Sequence, residues 1–467
     1  MAINTGSEDL SASPDRQHCD VVIIGAGIVG ICTAYYLKLH RPQLRVTIVD
    51  EGAPMALTSA HSGENYRNWW PHPVMTAFTD YSIDLMESIA LKTDNRISLS
   101  RRGYALATRM ANIDGLVKEL VGGYAKDSNE FLRVHDKEST THYQPSVHAD
   151  WSVAPAGVDV ITNQSLIRKN FPTFDQSIRH VIHVRRAGSL SAQQMGQYML
   201  EQFRVAGGKR LTGRVRAIQH SSEFDIQLDG QTVLLRAQRL VNAAGPFINS
   251  IATMLGSALP IRNELQQKIA FEDVERTIPR EMPFSIDLDS QHIDWNDEER
   301  DSLLSEHGTA WLAEKMPGSI HCRPDGGDAG KWIKLGWAFN QAEGTPLREP
   351  ELDEAFPEIV LRGATRLNPL LKAYHDRFPR NMHHYGGYYT LTEENWPLIG
   401  ETAVKGAYVV GAMSGFGTMA ACAAGDICAR LVVDEAVPGF ARALSIQRYD
   451  DQPLMKELRA QSSRGIL

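Results

Sequence analysis

Short, mostly apolar runs recur along this chain, and each stops at small residues. The first, VVII at 21–24, has the unbroken apolar character of a strand buried on both faces. GAGIVG follows at 25–30, then a helical stretch to about His40, then VTIV at 46–49 closing on Asp50. Further on, the pattern predicts a helix through about Val205 with a glycine stop at Gly207 and Gly208. A strand near 214–218 comes next, and another at 239–242 ends in NAAGP. Toward the C-terminus a strand at 407–410 runs into Gly411, Ser414, Gly415 and Gly417, and a helix of small residues starts near Thr418. RRGYALAT (101–108) and QQKIAFE (266–272) read as strands, and 294–316 as one charged amphipathic helix.

The first three elements form a strand–helix–strand unit whose glycines each have a physical purpose. Gly25 permits the tight turn, Gly27 lets backbone approach a pyrophosphate, and Gly30 lets the helix pack closely on the strand. The helix N-terminus then faces the phosphates. Asp50, twenty residues beyond Gly30, stands where a carboxylate takes ribose hydroxyls. The unit predicts a bound dinucleotide without separating NAD from FAD.

Composition mainly excludes. The 467 residues suffice for one large domain or two moderate ones, and the net charge of −8 argues against nucleic acid and anionic membrane surfaces. Cys19, Cys32, Cys322, Cys422 and Cys428 form no CxxC pair and no zinc-site spacing, so no metal is expected and the compartment is read as reducing and cytoplasmic. Residues 1–18 are polar, without the apolar core of a secretory signal, and read as a disordered leader. The uncharged stretch 406–425 has the length of a membrane span, but its five glycines and strand-like start favour a buried strand, a tight loop and a helix.

Five segments together, DVVIIGAGIVG, VDEG, LVNAAGPFIN, HCRPDGG and YTLTEENWPLIG…GAMSGFGTM, make the chain similar to FAD-dependent amine and amino-acid oxidoreductases of the D-amino-acid oxidase type. That family includes glycine oxidase, sarcosine oxidase and dimethylglycine dehydrogenase. The resemblance implies an α/β (α+β overall) protein with a Rossmann-like FAD-binding domain and a mostly antiparallel-sheet substrate domain. Both would be discontinuous: 19–94, 186–256 and 386–467 for FAD, 95–185 and 257–385 for substrate. It implies cofactor contacts from Gly25, Gly27, Ile28, Val29, Gly30, Asp50, Glu51, Val215, Ala244 and Gly245. Gly411, Ser414, Gly415, Phe416, Gly417 and Thr418 would face the flavin, with a helix N-terminus stabilising the reduced ring.

The loop SGENYRNWWPHP (62–73) carries an arginine, two tryptophans and a histidine. Its counterpart in sarcosine oxidase passes over the flavin. The likeness therefore places Ser59, His61, Ser62 and Gly63 beside the ring, Arg67 near it, and Trp69 and Trp70 either as cavity wall or as core anchors. Ala60 precedes His61 where histidine-linked relatives have tryptophan, and Gly387 stands where sarcosine oxidase has its flavin-linked cysteine, so FAD is expected to be noncovalent. Lys268, His384 and Tyr389 complete the catalytic candidates with Arg67: the lysine for oxygen activation or as an ordinary strand charge, the others for substrate binding.

The expected reaction is hydride transfer from an amine or amino acid, N-methylated ones included, to flavin N5, giving an imine that hydrolyses. Oxygen or an electron carrier would reoxidise the flavin, and an oligomer is compatible with the sequence. Two alternatives stay open. One is a 2-hydroxy-acid dehydrogenase with His61, His72 or His384 as base; the other is a flavin-bound scaffold that uses 294–316 as its partner surface.

Overall fold

The computed structural model describes residues 16–460 except 125–127, 138–141, 147–149, 232–233, 307 and 376. Most of the expected leader lies outside the described residues. Arg16–His18 are strand instead, because the long strand Leu234–Asn242 offers them parallel partners from Leu234 to Arg236.

Two large sheets organise the chain. The first runs in space as Val215–His220, Phe224–Leu228, Leu234–Asn242, Arg16–Ile24, Val46–Asp50 and Lys209–Thr212. Leu234–Asn242 divides its pairing. Its first half is antiparallel to Phe224–Leu228, and its last three residues run parallel to Ala407–Gly411. The central strand is buried on both faces, as its apolar run predicts. Val21 and Ile23 face the helices, while Val22 and Ile24 face a separate cluster with Phe224 and Ile226. Helix Ile28–His40 lies against Gly417–Val432, which also packs on Pro73–Lys92.

The second sheet has nine strands, in the order Met382–Leu391, Arg262–Glu272, Trp332–Gly336, Ile320–Asp325, Phe284–Asp287, Tyr104–Thr108, His180–Val184, Val158–Ile161 and Leu132–His135. Neighbours are antiparallel except at two pairs, Phe284–Asp287 with Tyr104–Thr108 and Leu132–His135 with Val158–Ile161. Helix Phe356–Thr365 covers one face, packing Ile359 and Val360 with Ile269, Phe271, Ile333 and Leu335. On the opposite face Leu106, Val158, Ile182 and Ile286 pack in a second cluster with Trp69, while Arg262, Glu264, Gln266 and Lys268 line a cavity. The single helix expected over 294–316 is instead nine residues, Asp297–Ser305, with none of them buried, followed by a short turn at Ala310–Ala313. Its acidic first turn and Asn296–Glu299 capping box stabilise only that local start. Among the described residues no helix is long and apolar enough to cross a membrane.

Gly425 sets how closely the two central helices approach. A Cβ there would lie 2.6 Å from Cys32 Cβ and 2.7 Å from Thr33 N, and backbone atoms cannot yield to it. Gly425→Ala is expected to cost about 1–3 kcal/mol through overpacking, read as a lower denaturation midpoint; an unchanged midpoint would refute this account of the contact.

Candidate active site

Three cavities adjoin in a row. The first, about 590 Å³, opens at the carboxyl ends of the parallel strands and is lined by Gly25, Gly27, Asp50, Glu51, Val215 and Ala244 among others. This is where an open α/β sheet offers a ligand crevice. The second, about 110 Å³, shares Gly27, Ser59, Gly245 and Pro246 with the first. The third, about 460 Å³, shares Ser62, Gly63, Lys268, Tyr389, Ser414, Gly415 and Thr418 with the second.

The first cavity suits the diphosphate end of a dinucleotide. Gly25 has φ 112°, and a Cβ on it would lie 2.3 Å from the Ala243 carbonyl oxygen. Asp50 is oriented by two backbone donors, Ala26 N–H and Gly52 N–H, each at 2.7 Å. Helix Ile28–His40 starts without a side-chain cap from Gly27, though Ile28 N–H donates to Ser59 Oγ at 3.0 Å. Glu51 pairs with Arg348 at 2.6 Å on the cavity wall. Gly30 lines no cavity. Its absent side chain lets the helix rest on the strand end, since a Cβ would meet the Gly25 carbonyl oxygen at 2.1 Å.

Ile28, Val29, His61, Gly411, Gly417 and Thr418 line the second cavity. The loop before helix Gly417–Val432 holds Ala412 at φ 55° and Ser414 at φ 42°, a left-handed backbone that costs energy without glycine. Ser414 Oγ is buried there with no hydrogen-bond partner. A buried hydroxyl left unsatisfied between two cavities fits a polar ligand edge. Phe416 departs from its expected place. It lines the third cavity only, edge-on to Trp70 at 4.7 Å between ring centroids.

The two tryptophans divide their roles by facing opposite ways. Trp69 is fully buried, donates Nε1–H to the Leu120 carbonyl at 3.2 Å and packs in the core with Leu106 and Val158. Trp70 walls the third cavity. Arg67 lies in that cavity too, 2% exposed, with its guanidinium carbon 4.7 Å from the centroid of Trp70 and 5.9 Å from that of Tyr104. Burial pulls the guanidinium down to about 10, which leaves it cationic at neutral pH.

Lys268 is not an edge charge. Its strand runs between two others, it is 7% exposed, and Nζ lies 3.5 Å from Tyr389 Oη on the wall shared by the second and third cavities. His384 is not brought to this site. It pairs across from Ile269, stacks on Phe356 and bonds Gln267 at 2.9 Å. Five positions separate His384 from Tyr389, an odd number, so the pleat turns them to opposite faces. His72 caps helix Pro73–Lys92, accepting from Val74 N–H at 3.1 Å, and lies 3.2 Å from Glu457. Neither histidine is placed to act as a base in these cavities.

The structure adds residues that sequence reasoning missed. Arg262, Glu264 and Gln266 alternate with Lys268 along one strand face and line the third cavity with Tyr104 and His321. The polar run from Arg262 to Lys268, broken only by Leu265, gave no period-2 signal in the sequence, so the pairing of the strand was needed to show which residues face the cavity. His321 sits across Gly336 from Lys268, and a Cβ on Gly336 would fall 2.3 Å from His321 Nε2 and 3.2 Å from Lys268 Cγ. His321 Nδ1 donates to the Ser319 carbonyl at 3.2 Å, which leaves Nε2 as an acceptor. Burial, with Lys268 beside it, pushes this imidazole down to about 4.

A scan of protein-family models matches residues 20–431 to the FAD-dependent oxidoreductase family. The chain belongs to that family. No curated protein matches the sequence. Among solved structures, L-proline dehydrogenase from P. horikoshii superposes with TM-score 0.68 at 17% identity, covering 94% of this chain and 99% of that one. Glycine oxidase from Geobacillus kaustophilus gives 0.69 at 14%, covering 92% and 99%. Iminodiacetate oxidase from Chelativorans gives 0.64 at 16%, covering 90% and 97%. At these identities the likeness is one of fold, and it matches the expected combination of a Rossmann-like parallel sheet with a mostly antiparallel one. FAD is the family's cofactor.

His321 makes the stability pH-dependent. Its folded-state value lies below the unfolded value of about 6.5, so its contribution is full above pH 6.5 and is lost as pH falls toward 4. The unfolding free energy should drop by about 1.4 kcal/mol per pH unit from this residue within that window. His321→Gln should flatten that slope in denaturant titrations at pH 4.5 to 7; an equal slope in both proteins would refute the assignment.

Proposed function

We propose that this oxidoreductase oxidises the C–N bond of an amine or amino acid, N-methylated substrates included. The observation that carries the reading is the third cavity: a buried arginine against an aromatic wall, joined to the second cavity through Lys268 and Tyr389. Gly25, Gly27, Asp50 and Val215 would hold the adenosine diphosphate half of FAD. His61, Ser62, Gly63, Ser414 and the start of helix Gly417–Val432 would border its ring. When bound, FAD supplies the two-electron acceptor.

The protein's part is to bind, orient and keep dry. Arg67 holds a substrate carboxylate by charge-assisted bonds, strengthened because the site excludes water. Trp70, Phe416 and Tyr104 fix the apolar part of the substrate. His61 is kept neutral by burial and by Lys268, so it adds no positive charge beside the bound amine. The amine reacts as its free base, and activity is expected to rise with pH through the amine pKa in the complex. In this reading 19–94, 186–256 and 386–467 carry FAD, while 95–185 and 257–385 carry the substrate. Oxygen or an electron carrier closes the cycle, with Lys268 the candidate for guiding oxygen. Five buried, free cysteines fit a reducing, cytoplasmic setting.

A 2-hydroxy-acid substrate is the second reading, favoured by one observation: His321 presents a neutral acceptor nitrogen in the same cavity. Anaerobic visible spectra of the holoenzyme decide between them. Pooled amino acids and N-methyl amino acids are expected to bleach the flavin band; bleaching by 2-hydroxy acids alone would overturn the amine reading. With an identified carboxylated substrate, Arg67→Gln should raise KM by about ten- to a hundredfold, and an unchanged KM would remove Arg67 from carboxylate binding.

The cofactor is proposed to be noncovalent. Gly387 lines the second cavity but has no nucleophilic side chain, and Ala60 precedes His61. Acid precipitation should therefore release all the yellow colour to the supernatant; colour retained in the washed pellet would sink this point.

A further inference from the structure

A fourth, small cavity of about 60 Å³ adjoins the third and shares Asn65 and Phe284 with it. Its size is that of roughly two water molecules, which admits a carboxylate and rejects a nucleotide. Three guanidiniums from separate segments line it: Arg102, Arg280 and Arg323. Arg280 is held by carbonyls, with Nη1 donating to Trp332 at 2.7 Å and Nη2 to Asp325 and Gly327. Those bonds fix the fork without neutralising it. Burial pushes its pKa down; the Asp325 and Asp273 carboxylates oppose that shift, and Arg102 and Arg323 add to it. The Asp328 side chain, 77% exposed, lays its carboxylate on Arg102 from a loop whose Gly326 and Gly327 have positive φ. An exposed surface carboxylate already rests on one of the three guanidiniums.

We propose that this cavity is an oxyanion subsite that takes the distal carboxylate of a dicarboxylic substrate whose first carboxylate lies on Arg67. The spacing supports it. Asn65, which lines both cavities, lies two residues from Arg67 on one face of strand Asn65–Arg67, about 7 Å along it, so three or four methylenes reach from Arg67 to the junction of the cavities. Arg323, paired with Asp325 at 2.7 Å, donates to the Gly63 carbonyl at 3.0 and 3.2 Å, and Gly63 lines the second cavity, so the subsite is linked to that cavity.

The inference rests on the amine-oxidation reading only for the rest of the substrate, and its test uses ligands that do not react. Glutarate and butyrate are titrated into the holoenzyme, with calorimetry and the visible flavin spectrum as readouts. Glutarate is expected to bind at least about tenfold more tightly than butyrate, as one charge-assisted carboxylate contact supplies. Arg280→Gln should remove that advantage and leave butyrate unchanged. Asp328→Ala, an exposed substitution, should increase it by removing the carboxylate that lies on Arg102. Inorganic phosphate competing with glutarate would support the subsite. Phosphate binding that responds to both variants, with no glutarate preference, would overturn the substrate origin. Equal glutarate and butyrate affinities in all three proteins would overturn the proposal whether or not any amine bleaches the flavin.

Discussion

The arrangement depends on backbones meeting where no side chain fits. The Gly25 Cα faces the Ala243 carbonyl, and Gly30 rests on the Gly25 carbonyl, both closer than a Cβ allows. These contacts bring the ends of the parallel strands Arg16–Ile24 and Leu234–Asn242 side by side under the start of helix Ile28–His40. Pairing in the ladder stops there, so the backbone groups beyond it must find partners of another kind. The first cavity lies at this line, and Asp50 ends the neighbouring strand beside it. A side chain at either glycine would push helix and strand apart and open the floor of the crevice.

In the second sheet the deciding constraint is the pleat. Along Arg262–Glu272, the even positions 262, 264, 266 and 268 face the third cavity, while Ile269 and Phe271 pack under helix Phe356–Thr365. The partner strand obeys the same parity through its register, Lys268 opposite Tyr385 and Glu264 opposite Tyr389. A one-residue slip would put isoleucine and phenylalanine in the cavity and bury Lys268 in the core, which the apolar cluster does not permit.

What was legible in the sequence follows from range. The dinucleotide unit is local: strand, glycines, helix and Asp50 fall within about thirty residues, and all were placed from pattern alone. The loop 62–73 stood out in the sequence, but which tryptophan turned toward a cavity depended on Leu120 and Phe416, far along the chain. His384 looked like a site residue through proximity to Tyr389, and parity would have excluded it once the strand was recognised. His321 had no local signal. Its importance comes from Gly336 and Lys268, which are neighbours only across three strands. The length of 294–316 was overestimated because charge periodicity continued past the point where the helix had anything to pack against.

Charge also ties the loop at the site to the second sheet. Glu64, held at φ 57°, accepts from Ala192 N–H at the start of helix Ala192–Val205 and pairs with Lys334 of the second sheet at 2.9 Å. Arg323 of the same sheet reaches the Gly63 carbonyl one residue earlier. These ties hold the loop between the second and third cavities from both sides, so its strained backbone persists because its surroundings over-determine it. Half-buried ion pairs of this kind add little net stability, since desolvation offsets attraction. Their effect is on position: they fix where the wall shared by the cavities stands. The loop between the second and third cavities is thus held by a helix start on one side and by the second sheet on the other, and either moving alone would break the ties that align it.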